Sequence, residues 1–138
     1  MSDIVEKIKK IDGLYHAKGC SVKQLNEAES ELNIVFPEEF IEYVREFGAI
    51  SFFATEWTGL NVNGHLNVVE VTKKERNLNC SFPRNCFVLE NQGVDGILII
   101  CNEKGEVFSI QFDNVKKIYD SISEYLDECI ARKNRNYS

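Results

Sequence analysis

The sequence is poor in the residues that break structure or carry chemistry. Among 138 residues it has two prolines, eight glycines, two histidines, one methionine and one tryptophan. So little proline and glycine excludes a collagen-like chain and a long flexible linker. No unbroken apolar run approaches the roughly 20 residues that a membrane span needs. The most apolar stretches are short, around residues 97–101 and 50–54. The opening Met1-Ser2-Asp3-Ile4-Val5-Glu6-Lys7 has neither the apolar core nor the small-residue cleavage site of a secretory leader, so a cytoplasmic protein is expected. Positive charge is in deficit as well: 16 Lys and Arg face 22 Asp and Glu, a net charge of -6 with a pI near 5.0. An acidic chain repels a phosphate backbone, which argues against direct nucleic-acid binding. The basic groups Lys7, Lys9 and Lys10, and Arg132, Lys133 and Arg135, form short terminal clusters and read as solvated charges.

Catalytic and metal-binding patterns are missing too. The five cysteines, Cys20, Cys80, Cys86, Cys101 and Cys129, include no C-x-x-C pair, and their odd number and irregular spacing fit neither a disulfide framework nor a zinc site. Cys101 ends an apolar run and Cys129 lies in a helical pattern, so both are expected as buried small hydrophobes in a reduced protein. His16 and His65 belong to no H-x-x-x-H or H-E-x-x-H pattern. There is no G-x-S-x-G elbow and no phosphate-binding loop. Gly93 and Gly96 flank Asp95, but the segment leads into a strand pattern rather than a helix. The expectation is therefore no catalytic residue, no cofactor and no metal.

What is present belongs to a packed fold. Hydrophobic residues make up 43% and charged residues 28%, with nine Phe, five Tyr and one Trp, so disorder is excluded and one domain over residues 1–138 is expected. Ile4, Ile8 and Ile11 mark a first amphipathic helix, closed by Asp12-Gly13. Ser21 with Gln24 forms a capping box for a second helix carrying Leu25, Ala28 and Leu32, with Asn33 as its stop. Pro37 opens a third helix with Glu38 and Glu39 in its first turn and Phe40, Tyr43, Val44 and Phe47 on its buried face, and Gly48 ends it. The period then changes. Residues 50–53, 60–62, 66–71, 86–90, 96–101 and 107–112 read as strands, with Asn63-Gly64 as a tight turn between two of them. Residues 72–79 read as a short exposed helix or a loop. A last helix runs from Ser121 with Ile122, Tyr125, Leu126, Cys129 and Ile130 on one face. This order predicts an α+β fold with N-terminal helices, a central, largely antiparallel sheet and a C-terminal helix.

Charge is concentrated in one place. Residues 27–46 hold seven acids (Glu27, Glu29, Glu31, Glu38, Glu39, Glu42 and Glu46) and one base, Arg45, a local balance of -6 equal to that of the whole chain. Glu38, Glu42 and Glu46 are spaced by four and share a helix face. Such a face is either plainly solvated or an acidic docking surface that raises the association rate of a basic partner. Anchoring apolar groups are expected nearby. Phe52 and Phe53 are adjacent, so one of them faces the core and the other a partner or another layer. Trp57 is the third candidate, either an anchor or a core-edge aromatic.

The stretch from Ser21 to Ala49 carries a longer pattern. It has a helix with Leu25, Glu29 and Leu32, then Ile34-Val35-Phe36-Pro37-Glu38-Glu39-Phe40, then Tyr43-Val44 and Phe47-Gly48. With the later Gly93-x-Asp95-Gly96 bend and Gly105-x-Val107, it resembles the SUKH superfamily, which includes yeast cell-wall-synthesis regulators and bacterial immunity proteins. Phe36 stands where Leu is usual, Ala49 where a second Gly is common, and Asn102 where Asp is frequent. The resemblance implies a binding module without a shared catalytic set. For a bacterial member of this size it implies a cytosolic immunity protein that binds and neutralises a cognate polymorphic toxin domain, often a basic nuclease. The partner-binding residues expected on this reading are Glu29, Glu38, Glu39, Glu42, Glu46, Phe52, Phe53 and Trp57. A regulatory scaffold like the cell-wall members is the second reading. An unrecognised enzyme using Asp95 and Glu90, or Cys86, is the third.

Overall fold

A computed structural model describes residues 3–93 and 95–137, without the side chains of residues 133–137. Lys133 and Arg135 of the terminal basic cluster therefore lie outside the described side chains. The fold is α+β. Helices α1 (Asp3–Lys9), α2 (Val22–Leu32) and α3 (Glu38–Phe47) precede most of the strands, and α5 (Ile122–Tyr137) closes the chain. Between them lie a three-stranded sheet, β1 (Tyr15–His16), β2 (Ile50–Phe52) and β3 (Thr55–Trp57), and a four-stranded sheet, β4 (Cys86–Asn91), β5 (Ile97–Asn102), β6 (Val107–Gln111) and β7 (Asn114–Tyr119). Both sheets are antiparallel, with strands paired in chain order.

The predicted helix ends are realised with specific chemistry. Ser21 and Gln24 close a reciprocal capping box at α2. Asn33 takes a left-handed conformation, φ 55°, and its N–H bonds back to Glu29 and Ser30. Gly48 ends α3 at φ 75°, and a Cβ there would lie 2.2 Å from the carbonyl oxygen of Lys18. Only glycine meets both demands.

Alternation along the four-stranded sheet sends apolar side chains to both faces, and each face has its own cover. Phe87, Leu89, Ile99, Cys101 and Val107 join the larger core with α1, α2, α3 and α5. Cys86, Val88, Leu98, Ile100 and Ile110 form a smaller cluster with Phe82 and with Val71, from the helix that precedes β4 in the chain. Rings run through the larger core in sequence. Phe36 lies 4.8 Å from Phe40, and Phe40 4.6 Å from Phe87. Tyr43 meets Trp57 edge-on at 5.5 Å, and Trp57 stacks on Tyr125 at 6.0 Å.

Several expected elements differ. Residues 60–62 are loop, and residues 66–71 are not a strand but enter α4 (Val68–Leu78) through a 3-10 turn over Gly64–Leu66. The β-branched run of Val68, Val69, Val71 and Thr72 mimics a strand. Asn67 decides the outcome by accepting from the N–H groups of Val69 and Glu70, and Val68 and Thr72 then share a buried face at helical spacing. The strand from Ile50 stops at Phe52, because Phe53 turns left-handed at φ 46°. Strands β1, β3 and β7 were not expected. β1 and β3 are only two and three residues long, and β7 is largely exposed and carries no alternation.

Tyr43 links these layers. Its buried hydroxyl donates to the carbonyl of Thr58 at 2.8 Å and accepts from the N–H of Ile50 at 3.2 Å. Replacing Tyr43 with Phe leaves both backbone groups buried without that partner. The expected cost is about 1–3 kcal/mol of stability in urea unfolding, with the fold retained because the ring is kept.

Candidate functional site

The acids of residues 27–46 divide into two groups once their partners are known. Three have internal work. The Glu29 carboxylate accepts from the N–H of Phe36 at 2.8 Å, tying the α2–α3 connection to the end of α2. The Glu39 carboxylate accepts from the N–H groups of Ile122 at 2.9 Å and Ser123 at 3.3 Å, so it caps the start of α5 from a different helix. Glu31 pairs with Lys73 of α4 at 2.9 Å. The other four, Glu27, Glu38, Glu42 and Glu46, make no hydrogen bond or ion pair among the described residues. Glu38 and Glu46 are exposed and Glu42 is half-buried, along the side of α3 opposite its core face.

The α2 acids open onto a different feature. A groove of about 450 Å³ lies between α2, the loop at residues 60–63 and the start of α4. Glu27, Glu31 and Glu70 supply its carboxylates and Gln24, Asn61, Asn63 and Asn67 its amides, and no residue of α3 lines it. The sequence reading missed Glu70 because it took that segment for a strand. The signal was there: Asn67 followed three residues later by Glu70 is a helix-start pattern.

The other candidates are corrected by burial. Phe52 is a core residue, and Trp57 has 0% exposure between Tyr43 and Tyr125. Neither can meet a partner while the fold is intact. Phe53 is 47% exposed and remains the one aromatic of the three at the surface. Glu29 and Glu39 leave the docking set as well, since their carboxylates are bound to backbone N–H groups.

Residues considered for catalysis have structural surroundings. Glu90 is buried on β4, where it accepts a hydrogen bond from the Tyr125 hydroxyl and lies 3.8 Å from the Arg132 guanidinium. Burial raises its pKa, and Tyr125 and Arg132 counter that shift only in part. Burial also pushes the Cys86 thiol up to about 11, which keeps it protonated at neutral pH. Asp95 sits exposed in the β4–β5 turn at φ 52°. Among the described residues, no group of three or more His, Cys, Asp or Glu is placed to hold a metal ion. Among the same residues, no helix is long and apolar enough to cross a membrane.

Two antiparallel sheets with N-terminal helices and a closing helix, and an acidic exposed face on the third helix, define an α+β domain. The family model SUKH_5, described as SMI1-KNR4 cell-wall, matches residues 1–131, and the chain belongs to this family. No curated protein matches the chain significantly.

Two measurements separate structural from surface carboxylates. The raised folded-state pKa means that native Glu90 holds its proton more tightly than the unfolded chain does. Its contribution to stability is full below the ordinary value of 4.5 and is lost as pH rises through the folded value. Comparing wild type with Glu90→Gln by urea unfolding across that range, the wild type loses stability relative to the variant as pH increases. Glu39→Ala removes the acceptor for the first two N–H groups of α5, leaving the Ser121 cap in place, and costs about 0.5–2 kcal/mol, whereas Glu46→Ala changes stability by less than about 0.5 kcal/mol.

Proposed function

We propose that this chain is a non-enzymatic protein-binding domain and, within its family, a cytoplasmic immunity protein that neutralises a basic toxin domain. It does so without metal or cofactor. The observation that supports this reading is the division of labour among the acids. In a stretch where three carboxylates are spent on holding the fold, four others have no hydrogen bond or ion pair among the described residues. Glu38 and Glu42, and Glu42 and Glu46, are like-charge neighbours that cost the isolated helix a few tenths of a kcal/mol each. A cationic surface placed over them relieves that repulsion, and the same field steers a basic partner to the site before contact. Of the three aromatic candidates, Phe53 is the one with surface exposure beside this segment. The family description favours a second reading, a regulatory scaffold in cell-wall control, which would present the same face to a signalling partner.

The test is association kinetics with a basic toxin domain recovered by pull-down with this protein. Reversing Glu38, Glu42 and Glu46 to Lys is expected to slow association about tenfold or more at low salt, with a smaller effect at high salt. An unchanged on-rate removes α3 from the interface. Recovery of wall-synthesis regulators and of no toxin domain replaces the immunity reading with the scaffold.

A further inference from the structure

The four-stranded sheet treats its two edges differently. On the β4 side, the backbone is closed by hydroxyls and loop amides. The N–H of Val88 donates to Thr72 Oγ1 at 3.0 Å, its carbonyl accepts from Thr58 Oγ1 at 2.7 Å, and the carbonyl of Leu89 accepts from the N–H of Thr58 at 2.8 Å. On the β7 side no further strand pairs among the described residues. The connection from β6 is two residues, Phe112 and Asp113, so Gln111 and Asn114 form the closing pair of the hairpin. Hydrogen-bonded pairs alternate from there. Asn114 and Lys116 point their backbone groups at β6, while Val115 and Lys117 point theirs outward. An edge of this kind is a template for another chain.

The side chains beside this edge specify what it can take. Phe112 heads the strand with a left-handed backbone, φ 57°, at a turn position that glycine ordinarily fills, and its ring is 73% exposed. Its carbonyl is held by the Asn79 side chain, and Leu78, next along the chain from Asn79, is also exposed. Val115 continues the apolar strip at 38% exposure. Lysines are the usual guard on such an edge. Here Lys117 is neutralised by Glu106 at 2.9 Å and Asp120 at 2.7 Å, while Lys116 has no ion pair among the described residues. A second copy pairing antiparallel about Lys116 would set that lysine against its own copy, which is unfavourable.

We propose that the outer edge of β7 accepts an extended segment of a protein partner as a fifth strand, apolar where it meets Val115 and acidic where it meets Lys116. Main-chain hydrogen bonds to Val115 and Lys117 supply affinity, and Lys116 selects the charge. The inference is independent of the toxin reading, since it uses another surface and the opposite charge.

The test pans a random dodecapeptide phage library against the wild type and against Val115→Pro. The Val115 N–H faces solvent, and proline is tolerated on an edge strand, so the variant keeps the β6 pairing; an unchanged melting temperature checks this. Enriched peptides are expected to alternate apolar and acidic residues and to bind Val115→Pro and Lys116→Glu about tenfold or more weakly. Amide exchange on the wild type with the best synthetic peptide bound is expected to slow at Val115 and Lys117, and this readout stands even if the proline variant fails to fold. No enrichment, equal binding to Val115→Pro, protection elsewhere on the molecule, or dimerisation through β7 would each overturn the proposal.

Discussion

The Tyr43 hydroxyl is the polar point on which the larger core depends. It is fully buried, and burial lifts its pKa well above the ordinary tyrosine value, so the phenol stays neutral and keeps its proton to donate. One oxygen serves the start of β2 and the backbone just after β3, while the ring below it packs between Phe40 and Trp57. Helix α3 thereby fixes the small sheet, and the small sheet fixes Trp57. Trp57 in turn stacks on Tyr125 and so locates α5. The same helix also caps α5 through Glu39. A single ten-residue helix sets the position of the elements on either side of it.

That double role explains why composition alone misjudges the acidic segment. Glutamate serves two purposes within 20 residues, and spacing does not distinguish them. Glu38 and Glu39 are neighbours in the first turn of α3, yet Glu38 is exposed and Glu39 reaches the amides of Ile122 and Ser123. The difference lies about 100° around the helix, on whichever side the last helix arrives. That side is decided by a contact 83 residues away in sequence. No local rule contains it.

Legibility followed the range of the interactions. Helices α2 and α3 could be read because their signals are local: the Ser21–Gln24 box, the left-handed Asn33, Pro37 and Gly48. The family pattern was readable for the same reason, since it is concentrated in this stretch. Segment 66–71 was misread because β-branched residues weigh toward strand, while one asparagine side chain and the burial of Val68 and Thr72 decide for helix. Strand β7 was unreadable because it lies at an open edge, where most of its side chains are exposed and the apolar alternation is lost. Of the aromatic candidates, adjacency correctly predicted that Phe52 and Phe53 part company. Trp57 needed the fold, since only the arrival of Tyr125 shows that it is enclosed.

The charge on the finished surface is organised by what the fold has already consumed. Of the acids in residues 27–46, Glu31 is paired with Lys73 and the Glu29 and Glu39 carboxylates are held against backbone amides, so among the described residues the carboxylates without a bonded partner are Glu27 on α2 and Glu38, Glu42 and Glu46 on α3. On β7 the order is reversed: Lys117 is cancelled by two carboxylates and Lys116 is left. A net charge of -6 therefore describes neither surface. Pair interactions between exposed charges are weak, typically below about 1 kcal/mol, so these residues add little to folding wherever they stand. Their positions can change without loss of the fold, which leaves the surface charge of this domain open to adjustment toward a partner while Tyr43, Glu29 and Glu39 hold the frame.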